Sequence, residues 1–270
     1  MPQNPFVIAT KSPSCDVFVF DVSKHPSSPK DDGFRPEHKC LGHSKEGYGL
    51  SWNPHVPAEL LSGSDDCRIC VWDLNQGREH VSAVNTWVGH SDVVEDVAWH
   101  NSSPHVFGSV GDDKKMLMWD TRVASSTGPF IRVPSAHDAD INSLAFNQHH
   151  EFLLATGSAD RVVKIWDMRN TTEAVHKLHG HDQEVFQVQW APFDGSLLAS
   201  CGADRRTRIW DLTKIEEYVS EEAKLELLFV HGGHNDKVSD VSWNSRYQWL
   251  IASVSDDNVL QIWQRARGCH

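Results

Sequence analysis

Short runs in which apolar and polar residues alternate recur along the chain. Three of them lie between positions 180 and 211: Val185–Trp190, Leu197–Cys201 and Arg206–Trp210. Runs of this length, rich in β-branched and aromatic residues, predict β-strands, and the Ala203-Asp204 pair before the last run predicts a tight turn. The stretch opens with Gly-His and closes with Trp-Asp, and this unit is repeated along the chain.

Four residue types mark each copy at fixed spacing. In every copy 23 residues separate the histidine from the turn aspartate and six separate that aspartate from the tryptophan, while a hydroxyl stands four residues before the aspartate. The five quartets are His43, Ser62, Asp66 and Trp72; His90, Ser109, Asp113 and Trp119; His137, Thr156, Asp160 and Trp166; His181, Ser200, Asp204 and Trp210; His234, Ser253, Asp257 and Trp263. Imidazole, hydroxyl, carboxylate and indole N–H can satisfy one another away from water, so we interpret these residues as structural.

The spacing matches the WD repeat, a four-stranded blade of a β-propeller. We therefore predict an all-β WD-repeat propeller with five complete repeats and a partial N-terminal blade. The predicted bounds are a single domain over 1–270, with a partial blade at 1–41, repeats at 42–88, 89–135, 136–179, 180–232 and 233–264, and an acidic insertion at 212–230.

Both ends of the array are predicted to be incomplete. Phe6–Thr10 and Val17–Val22 alternate as strands and Lys39–Leu41 predicts an outer strand, but the first strand of this blade is absent. The last copy ends at Trp263 without an outer strand. Propellers hide their edge strands by closure, so we expect that N-terminal material is missing and that the propeller is open or incompletely closed.

Charge, cysteine spacing and the length of apolar runs limit the kinds of ligand and cellular location that the chain is expected to have. The formal net charge of −12 disfavours a nucleic-acid backbone as ligand and suits a basic protein. Cys67 and Cys70 resemble half of a zinc site, but no second Cys or His pair follows at metal spacing, so we predict no metal and no cofactor. No apolar run is long enough to span a bilayer and no signal peptide is present, which favours the cytosol or nucleus.

Candidate binding residues lie three and five positions after each histidine, where propeller loops should face the channel mouth. In chain order they are Glu46 and Tyr48, Val93 and Glu95, Asp140 and Asn142, Glu184 and Phe186, and Lys237 and Ser239. Asp65, Asp112 and Asp256, each before a turn aspartate, should join the same face. Recurring carboxylates with two aromatic rings suit an extended peptide rich in Arg and Lys. The alternative is that these acids only keep the face soluble. No catalytic motif is present, and we predict no enzyme.

Several longer segments resemble one family: MPQNPFVIATKSP, GHSKEGYGLSWNP, EVFQVQWAP, DRRTRIWDLTKI and ELLFVHGGH are similar to the retinoblastoma-binding, MSI-type WD-repeat histone-binding proteins. The resemblance runs from Met1 to about Trp263. It implies a seven-bladed, non-catalytic, nuclear subunit of chromatin assembly, acetyltransferase, deacetylase, remodelling or Polycomb complexes.

The same resemblance implies two histone sites. The tail of histone three would bind Glu46, Tyr48, Glu95, Asn142, Glu184 and Phe186. The spacing of the repeats selects the same six residues and adds Asp140. Histone four would bind between a long N-terminal helix, absent here, and an acidic loop that matches Glu216, Glu217, Glu221 and Glu222.

Two alternatives remain open. Trp-Asp-x-Arg occurs twice and ends at Arg122 and Arg169, a pattern that resembles the motif of substrate receptors for cullin-type ubiquitin ligases. A WD scaffold in ribosome assembly is the other alternative.

Overall fold

The computed structural model describes residues 1–28, 33–77, 79–214 and 226–265 of the chain. Contacts divide the chain into two compact units, Met1–Ser135 and Ala136–His270. This border coincides with the predicted border between the repeats at 89–135 and 136–179. Among the described residues, none of the helices combines the length and apolar character that crossing a bilayer requires.

The first unit contains three four-stranded sheets. Its strands are β1 (Val7–Lys11), β2 (Val17–Asp21), β3 (His38–Leu41), β4 (Leu50–Trp52), β5 (Glu59–Gly63), β6 (Arg68–Asp73), β7 (His80–Ser82), β8 (Asn85–Val88), β9 (Val94–Trp99), β10 (Val106–Gly111), β11 (Met116–Asp120) and β12 (Ile131–Val133). Blade 1 is β1-β2-β3-β7, blade 2 is β4-β5-β6-β8 and blade 3 is β9-β10-β11-β12. Short 3₁₀ turns cover Val22–Lys24, Leu74–Gln76 and Ser125–Thr127.

The second unit contains two four-stranded sheets and one three-stranded sheet. Its strands are β13 (Ile141–Phe146), β14 (Leu153–Ser158), β15 (Val162–Asp167), β16 (His176–His179), β17 (Val185–Trp190), β18 (Leu197–Gly202), β19 (Thr207–Asp211), β20 (Leu227–His231), β21 (Val238–Trp243), β22 (Leu250–Ser255) and β23 (Leu260–Gln264), with a 3₁₀ turn at Leu212–Lys214. Blades 4 and 5 are β13–β16 and β17–β20, and blade 6 is β21–β23. The prediction of an all-β WD-repeat fold is confirmed.

Blade 1 obtains its fourth strand in a way that the sequence pattern did not predict. In the segment between β6 and β9, only β8 pairs with β6 as the outer strand of blade 2. The preceding β7 instead runs parallel to β3, with Lys39 opposite His80 and Cys40 opposite Val81. Val81 is buried in the same apolar cluster as Cys40. The buried valine therefore holds this segment against the neighbouring blade.

Within each unit, adjacent blades pack through one recurring contact. The apolar residues of a third strand lie against the first strand of the next blade, and we call this side the leading face of a blade. The pairs are Ile69 and Val71 with Val94 and Val97; Val163 and Ile165 with Val185 and Val188; Cys201 and Ile209 with Val238 and Val241. Burying one such aliphatic side chain contributes about 1.5–3 kcal/mol. Second strands are covered on both faces, so all six residues of β18 are buried.

Polar bonds reinforce this packing in the second unit. The indole Nε1–H of Trp190 donates to the Ala145 carbonyl at 3.0 Å, and that of Trp243 donates to the Gln189 carbonyl at 3.1 Å. Asn147 Nδ2 donates to the Gly195 carbonyl at 2.8 Å. The first-strand tryptophans Trp190 and Trp243 thus connect neighbouring blades by hydrogen bonds as well as by apolar contact.

The four marker residues form one hydrogen-bonded chain inside each of blades 3, 4 and 5. In blade 5, the Trp210 indole donates to Ser200 Oγ at 2.8 Å, which lies 2.7 Å from His181 Nε2, and His181 Nδ1 lies 3.0 Å from Asp204. Since an indole can only donate, the hydroxyl donates to Nε2 and the Nδ1–H donates to the carboxylate. Blades 3 and 4 repeat this geometry through His90, Ser109, Asp113 and Trp119 and through His137, Thr156, Asp160 and Trp166.

Blades 2 and 6 depart from the predicted quartet. In blade 2, Trp72 donates to the Leu41 carbonyl at 3.0 Å rather than to Ser62. His43 still lies 3.1 Å from Ser62 Oγ and 3.2 Å from Asp66. In blade 6, Trp263 and His234 both reach Ser253, but His234 Nδ1 lies 3.8 Å from Asp257, beyond hydrogen-bond distance.

The turn aspartate has a second role, because it shapes the turn after the second strand. Asp204 Oδ1 accepts from the Arg206 N–H at 3.1 Å, and Arg205 between them has φ 63°. The same arrangement places Cys67, Lys114, Arg161 and Asn258 in the left-handed region. A carboxylate that accepts the backbone N–H of the residue two positions later in the chain stabilises this otherwise unfavourable conformation.

Burial acts to raise the pKa of these carboxyls, but hydrogen bonds from the histidines and from backbone N–H groups outweigh it. The pKa of Asp66 and that of Asp204 are lowered to about 2, and those of Asp113 and Asp160 are also lowered. The imidazoles respond in the opposite sense to burial: it lowers the pKa of His137 and of His181 below 6.5. Burial thus favours the neutral imidazoles of His137 and His181 beside ionised Asp160 and Asp204 in blades 4 and 5.

Replacing Ser200 by Ala should lower the free energy of unfolding by about 1–3 kcal/mol, because the buried Trp210 indole and His181 Nε2 would both lose their partner. Urea unfolding measures the change. Ser200→Thr is the matched control, since blade 4 uses Thr156 at this position, and it should cost much less. Equal losses in the two variants would contradict a role for the hydroxyl.

The free energy of unfolding should decrease as the pH falls below about 6.5. The unfolded chain then takes up protons on His137 and His181 while the folded chain, with lowered histidine pKa values, does not. The aspartates add a further loss below about pH 4, because their folded pKa values lie below 3.8. Urea midpoints between pH 8 and pH 4 measure the slope.

His137→Asn should flatten that slope near pH 6. A stability that is constant from pH 8 to pH 5 would contradict the burial of neutral imidazoles.

Candidate functional site

The residue three positions after each marker histidine lies beside the turn that carries the aspartate. Its carbonyl accepts from the backbone N–H of the residue before that aspartate, in all five repeats. The bonds are Asp65 N–H to Glu46 (2.9 Å), Asp112 to Val93 (3.1 Å), Ala159 to Asp140 (2.9 Å), Ala203 to Glu184 (2.9 Å) and Asp256 to Lys237 (3.0 Å). Each bond fixes these side chains at the same end of its blade, which we call the turn end.

The residue five positions after the histidine is a β-bulge in four blades. The ladders between first and second strands skip one residue each: Glu95, Asn142, Phe186 and Ser239. A bulged residue has no partner in the ladder, which re-aims its side chain, and bulges are frequent beside functional sites. The sequence spacing selects these positions, but only the strand register shows why they differ from their neighbours.

Glycine permits the bulge at two of these sites. A Cβ on Gly202 would lie 2.0 Å from the Glu184 carbonyl oxygen, and a Cβ on Gly111 would lie equally close to that of Val93. No side chain fits at such a distance, so the second strand approaches the bulge only through glycine. In blades 4 and 6 the same bulge faces Ser158 and Ser255, so glycine is required only for the closer approach in blades 3 and 5.

In the first unit the turn ends of blades 2 and 3 bring Glu46, Tyr48 and Glu95 to neighbouring positions. The Val94 N–H donates to the Ser64 carbonyl at 3.2 Å, which joins the turn of blade 2 to the first strand of blade 3. Glu46 is exposed and Glu95 is half-buried with contacts of its own. The Tyr48 ring is 79 % exposed. Asp65 and Asp112 lie in the adjacent turns.

In the second unit Asp140, Asn142, Glu184 and Phe186 come together in the same way. Asn142 Nδ2 donates to the Val185 carbonyl at 2.8 Å, which links the turn ends of blades 4 and 5. Asp140 and Glu184 are exposed and Phe186 is half-buried. Each unit therefore presents two exposed or half-buried carboxylates and one aromatic ring at the turn end. We call these two groups the acidic rims.

A cation that the sequence reading missed lies beside the rim of the first unit. Lys11, the last residue of β1, donates through Nζ to Ser62 Oγ at 2.8 Å and also to the Gly63 carbonyl. Ser62 thus receives an ammonium in place of the indole that its counterparts receive. Burial lowers the pKa of Lys11 to about 8, while Asp66 and Asp65 act against that shift. No local pattern could identify this contact, because it joins residues 51 positions apart.

Lys11 also lines a pocket of about 340 Å³ with Ser12, Pro13, Glu46, Gly47 and Tyr48. The pocket carries one carboxylate and one exposed aromatic ring beside a buried ammonium. One oxygen of Asp65, whose backbone N–H bonds Glu46, is buried and receives no hydrogen bond from the described residues. The rim of the first unit is therefore a recess with both acceptor and aromatic surface.

Two groups of predicted residues remain, the four glutamates of the acidic loop and the two arginines of the Trp-Asp-x-Arg pattern. Glu216, Glu217, Glu221 and Glu222 lie outside the described residues. Arg122 forms a bidentate ion pair with Asp120, at 2.6 Å for the shortest contact, and Arg169 pairs with Asp167 in the same way at 2.5 Å. Both guanidinium groups are about two-thirds exposed, and that of Arg169 also lies over the Phe152 ring.

The two neighbouring cysteines differ in setting. Cys67 lies in the turn before β6, and Cys70 is buried inside β6. Across residues 1–28, 33–77, 79–214 and 226–265, no group of three or more His, Cys, Asp or Glu side chains could hold a metal ion.

Comparison with protein families gives one match in five segments. The family described as WD domain, G-beta repeat, matches residues 34–73, 81–120, 128–167, 172–211 and 225–264. Together these segments cover well over half of the chain. Each begins at or before the last strand of one blade and ends at the third strand of the next, so the family unit is offset from the blade by one strand. Each family unit therefore contains strands of two successive blades, and its chain links those blades covalently.

The buried ammonium of Lys11 predicts an alkaline response. Because the pKa of Lys11 is lowered from 10.5 to about 8, the unfolded chain holds this proton over a range in which the folded chain does not. The free energy of unfolding should therefore rise between about pH 7 and pH 10, relative to that of Lys11→Met. Urea unfolding of both chains across this range measures the difference.

Lys45→Met, at an exposed lysine of the same unit, is the control and should follow the parent chain. A constant difference between the parent and Lys11→Met would contradict the lowered pKa.

Proposed function

Because the chain belongs to the WD-repeat family, we propose that it is a non-catalytic scaffold that binds basic histone tails and docks them into chromatin assembly, remodelling or histone-modifying complexes. WD repeats support a protein-interaction role in general. The choice of histones as partners rests on the acidic rims, on the net charge and on the family resemblance of the longer sequence segments.

One observation carries the proposal: carboxylates recur at structurally equivalent positions. Glu46, Asp140 and Glu184 each accept the same backbone bond at the turn end of a blade, and Glu95 is a bulged residue at that end. Acids that served only solubility would have no reason to share one position in three of the five repeats. Their recurrence favours a ligand that extends across neighbouring blades.

The chemistry of the rims suits lysine and arginine. A charge-assisted hydrogen bond to a carboxylate contributes about 1.5–3 kcal/mol, and an ammonium or guanidinium gains further attraction over an aromatic face. Tyr48 offers such a face in the first unit and Phe186 offers one in the second. The formal charge of −12 adds long-range attraction that speeds association with a cationic tail.

Histone three is the proposed ligand of the rims, and nuclear localisation follows from that partner. Histone four is a second proposed partner, through Glu216, Glu217, Glu221 and Glu222. Direct binding of nucleic acid and insertion into a membrane are not part of the proposal.

The ubiquitin-ligase alternative receives less support. Its two arginines, Arg122 and Arg169, already spend their Nε and one terminal nitrogen on Asp120 and Asp167. Fewer donors are therefore left for an adaptor protein. Ribosome assembly is supported by no described residue in particular.

Calorimetry with a histone-three tail peptide tests the proposal. Glu95→Gln combined with Glu184→Gln should weaken binding by at least about tenfold, since each rim loses one charge-assisted bond to a weaker neutral one. Binding by the parent chain should also weaken as the salt concentration rises.

The matched control is Glu173→Gln, which removes an exposed carboxylate between β15 and β16, at the opposite end of blade 4. It should leave the affinity unchanged. Undiminished binding by the double variant, or an equal loss in the control, would exclude the rims as the binding site.

A further inference from the structure

Blade 5 carries two arginines, Arg205 and Arg206, in the turn between its second and third strands. Arg205 is exposed and Arg206 is half-buried. Neither guanidinium pairs with a carboxylate in the part of the chain that the structure describes. We call these two residues the arginine pair.

A third arginine keeps the arginine pair away from the turn aspartate. In blade 3, Lys115 stands at the position of Arg206, and its Nζ donates to Asp113 at 2.8 Å. In blade 5 that bond is replaced, because Arg208 donates through Nη1 to Asp204. Comparison of the two repeats therefore shows which partner the cation at this position has lost.

Asp204 has no acceptor site left for another cation. A carboxylate offers about four lone-pair sites. Asp204 accepts from His181 Nδ1, from the backbone N–H groups of Asp182 and Arg206, and from Arg208. The Asp182 carboxylate also lies 4.0 Å from Arg208 Nη2. Both carboxylates therefore face Arg208, and the charge of the arginine pair stays uncompensated.

The guanidinium of Arg206 is fixed in position with one edge open. Its Nη1 donates to the Arg205 carbonyl at 3.2 Å, and a Cβ on Gly232 would lie only 3.3 Å from its central carbon. Its Nε and Nη2 have no partner among the described residues. The same edge of Arg122 and of Arg169 holds both oxygens of a carboxylate. An open edge of this kind fits two oxygens of one anion.

A phosphomonoester is the anion that suits the arginine pair. It carries a charge of about −1.5 to −2 and three strong acceptor oxygens, which two guanidinium groups can match. Asp182 and Glu184 are exposed at the same turn end, so an extended polyanion such as nucleic acid would meet two carboxylates there. A single phosphate with basic neighbours avoids that conflict.

The arginine pair lies beside the acidic rim of the second unit. The Glu184 carbonyl accepts the N–H of Ala203, which stands two residues before Arg205. Two residues span at most about 7 Å, and an extended peptide advances about 3.3 Å per residue. A peptide with a lysine or arginine at Glu184 and Phe186 therefore brings its next few residues within reach of the pair.

We propose that Arg205 and Arg206 bind a phosphorylated serine or threonine that lies a few residues from the basic side chain held by the rim. The inference rests on the proposed binding of basic tails and adds a rule of regulation to it. Phosphorylation of the tail strengthens binding, although it makes the ligand less positive. Without the pair, the added negative charge would weaken binding to a chain with a formal charge of −12.

Calorimetry tests this with a histone-three tail peptide and with copies of it that are each phosphorylated at one serine or threonine. At least one phosphorylated copy should bind the parent chain about tenfold more tightly than the unmodified peptide. Arg205→Gln combined with Arg206→Gln should abolish this gain or turn it into a loss. Arg206→Lys keeps the charge but not the planar fork, so it should lose most of the gain.

The matched control is Arg132→Gln combined with Arg246→Gln. It removes the same charge from two exposed arginines, one on β12 of blade 3 and one between β21 and β22 of blade 6. This variant should keep the full gain. A peptide with glutamate at the phosphorylated position should gain less, because a carboxylate carries one charge and two oxygens.

Failure of this inference can be told apart from failure of the proposed function. If the parent chain binds the unmodified peptide but no phosphorylated copy more tightly, the arginine pair is not a phosphate site and the rims remain. If it binds no peptide, both proposals fail. An equal gain in the Arg205 and Arg206 double variant, or an equal gain from glutamate, would also overturn the phosphate site. So would binding of a short oligonucleotide that is lost in the double variant, since it would assign the pair to nucleic acid.

Discussion

The structure depends on a buried hydroxyl that must satisfy two rings at once. In blades 3, 4 and 5 one serine or threonine oxygen accepts an indole N–H and donates to an imidazole, which in turn donates to an aspartate. A buried polar group without a partner costs about 1–3 kcal/mol, so each member constrains the position of the others. The hydrogen bonds join the histidine before the first strand, the hydroxyl on the second strand, the aspartate in the following turn and the tryptophan on the third strand. Together they fix the shape of the blade.

The acidic rims follow from that constraint. The aspartate that ends the chain of bonds also closes the turn, and the turn donates a backbone N–H to the residue three positions after the histidine. The β-bulge two residues later turns Glu95, Asn142 and Phe186 away from the ladder. The same local geometry therefore builds a stable blade and displays chosen side chains at its turn end.

Blade 2 shows how the constraint is met when the indole bonds elsewhere. Trp72 donates to the Leu41 carbonyl rather than to Ser62. Ser62 then receives the ammonium of Lys11 instead. The exchange places a positive charge beside Glu46 and Tyr48, so the rim of the first unit differs from that of the second, where no lysine lines an equivalent pocket among the described residues.

The sequence by itself determined the strand pattern and the recurring spacing of the marker residues, since strand alternation and fixed spacing along one repeat are local properties. It could not predict the parallel pairing of β7 with β3, the contact between Lys11 and Ser62, or the loosened pair of His234 and Asp257. These depend on which distant segments pack together, and one register shift or one missing strand changes them. Only the tertiary structure decided them, because the free energy of a buried contact depends on what surrounds it and not on the residues alone.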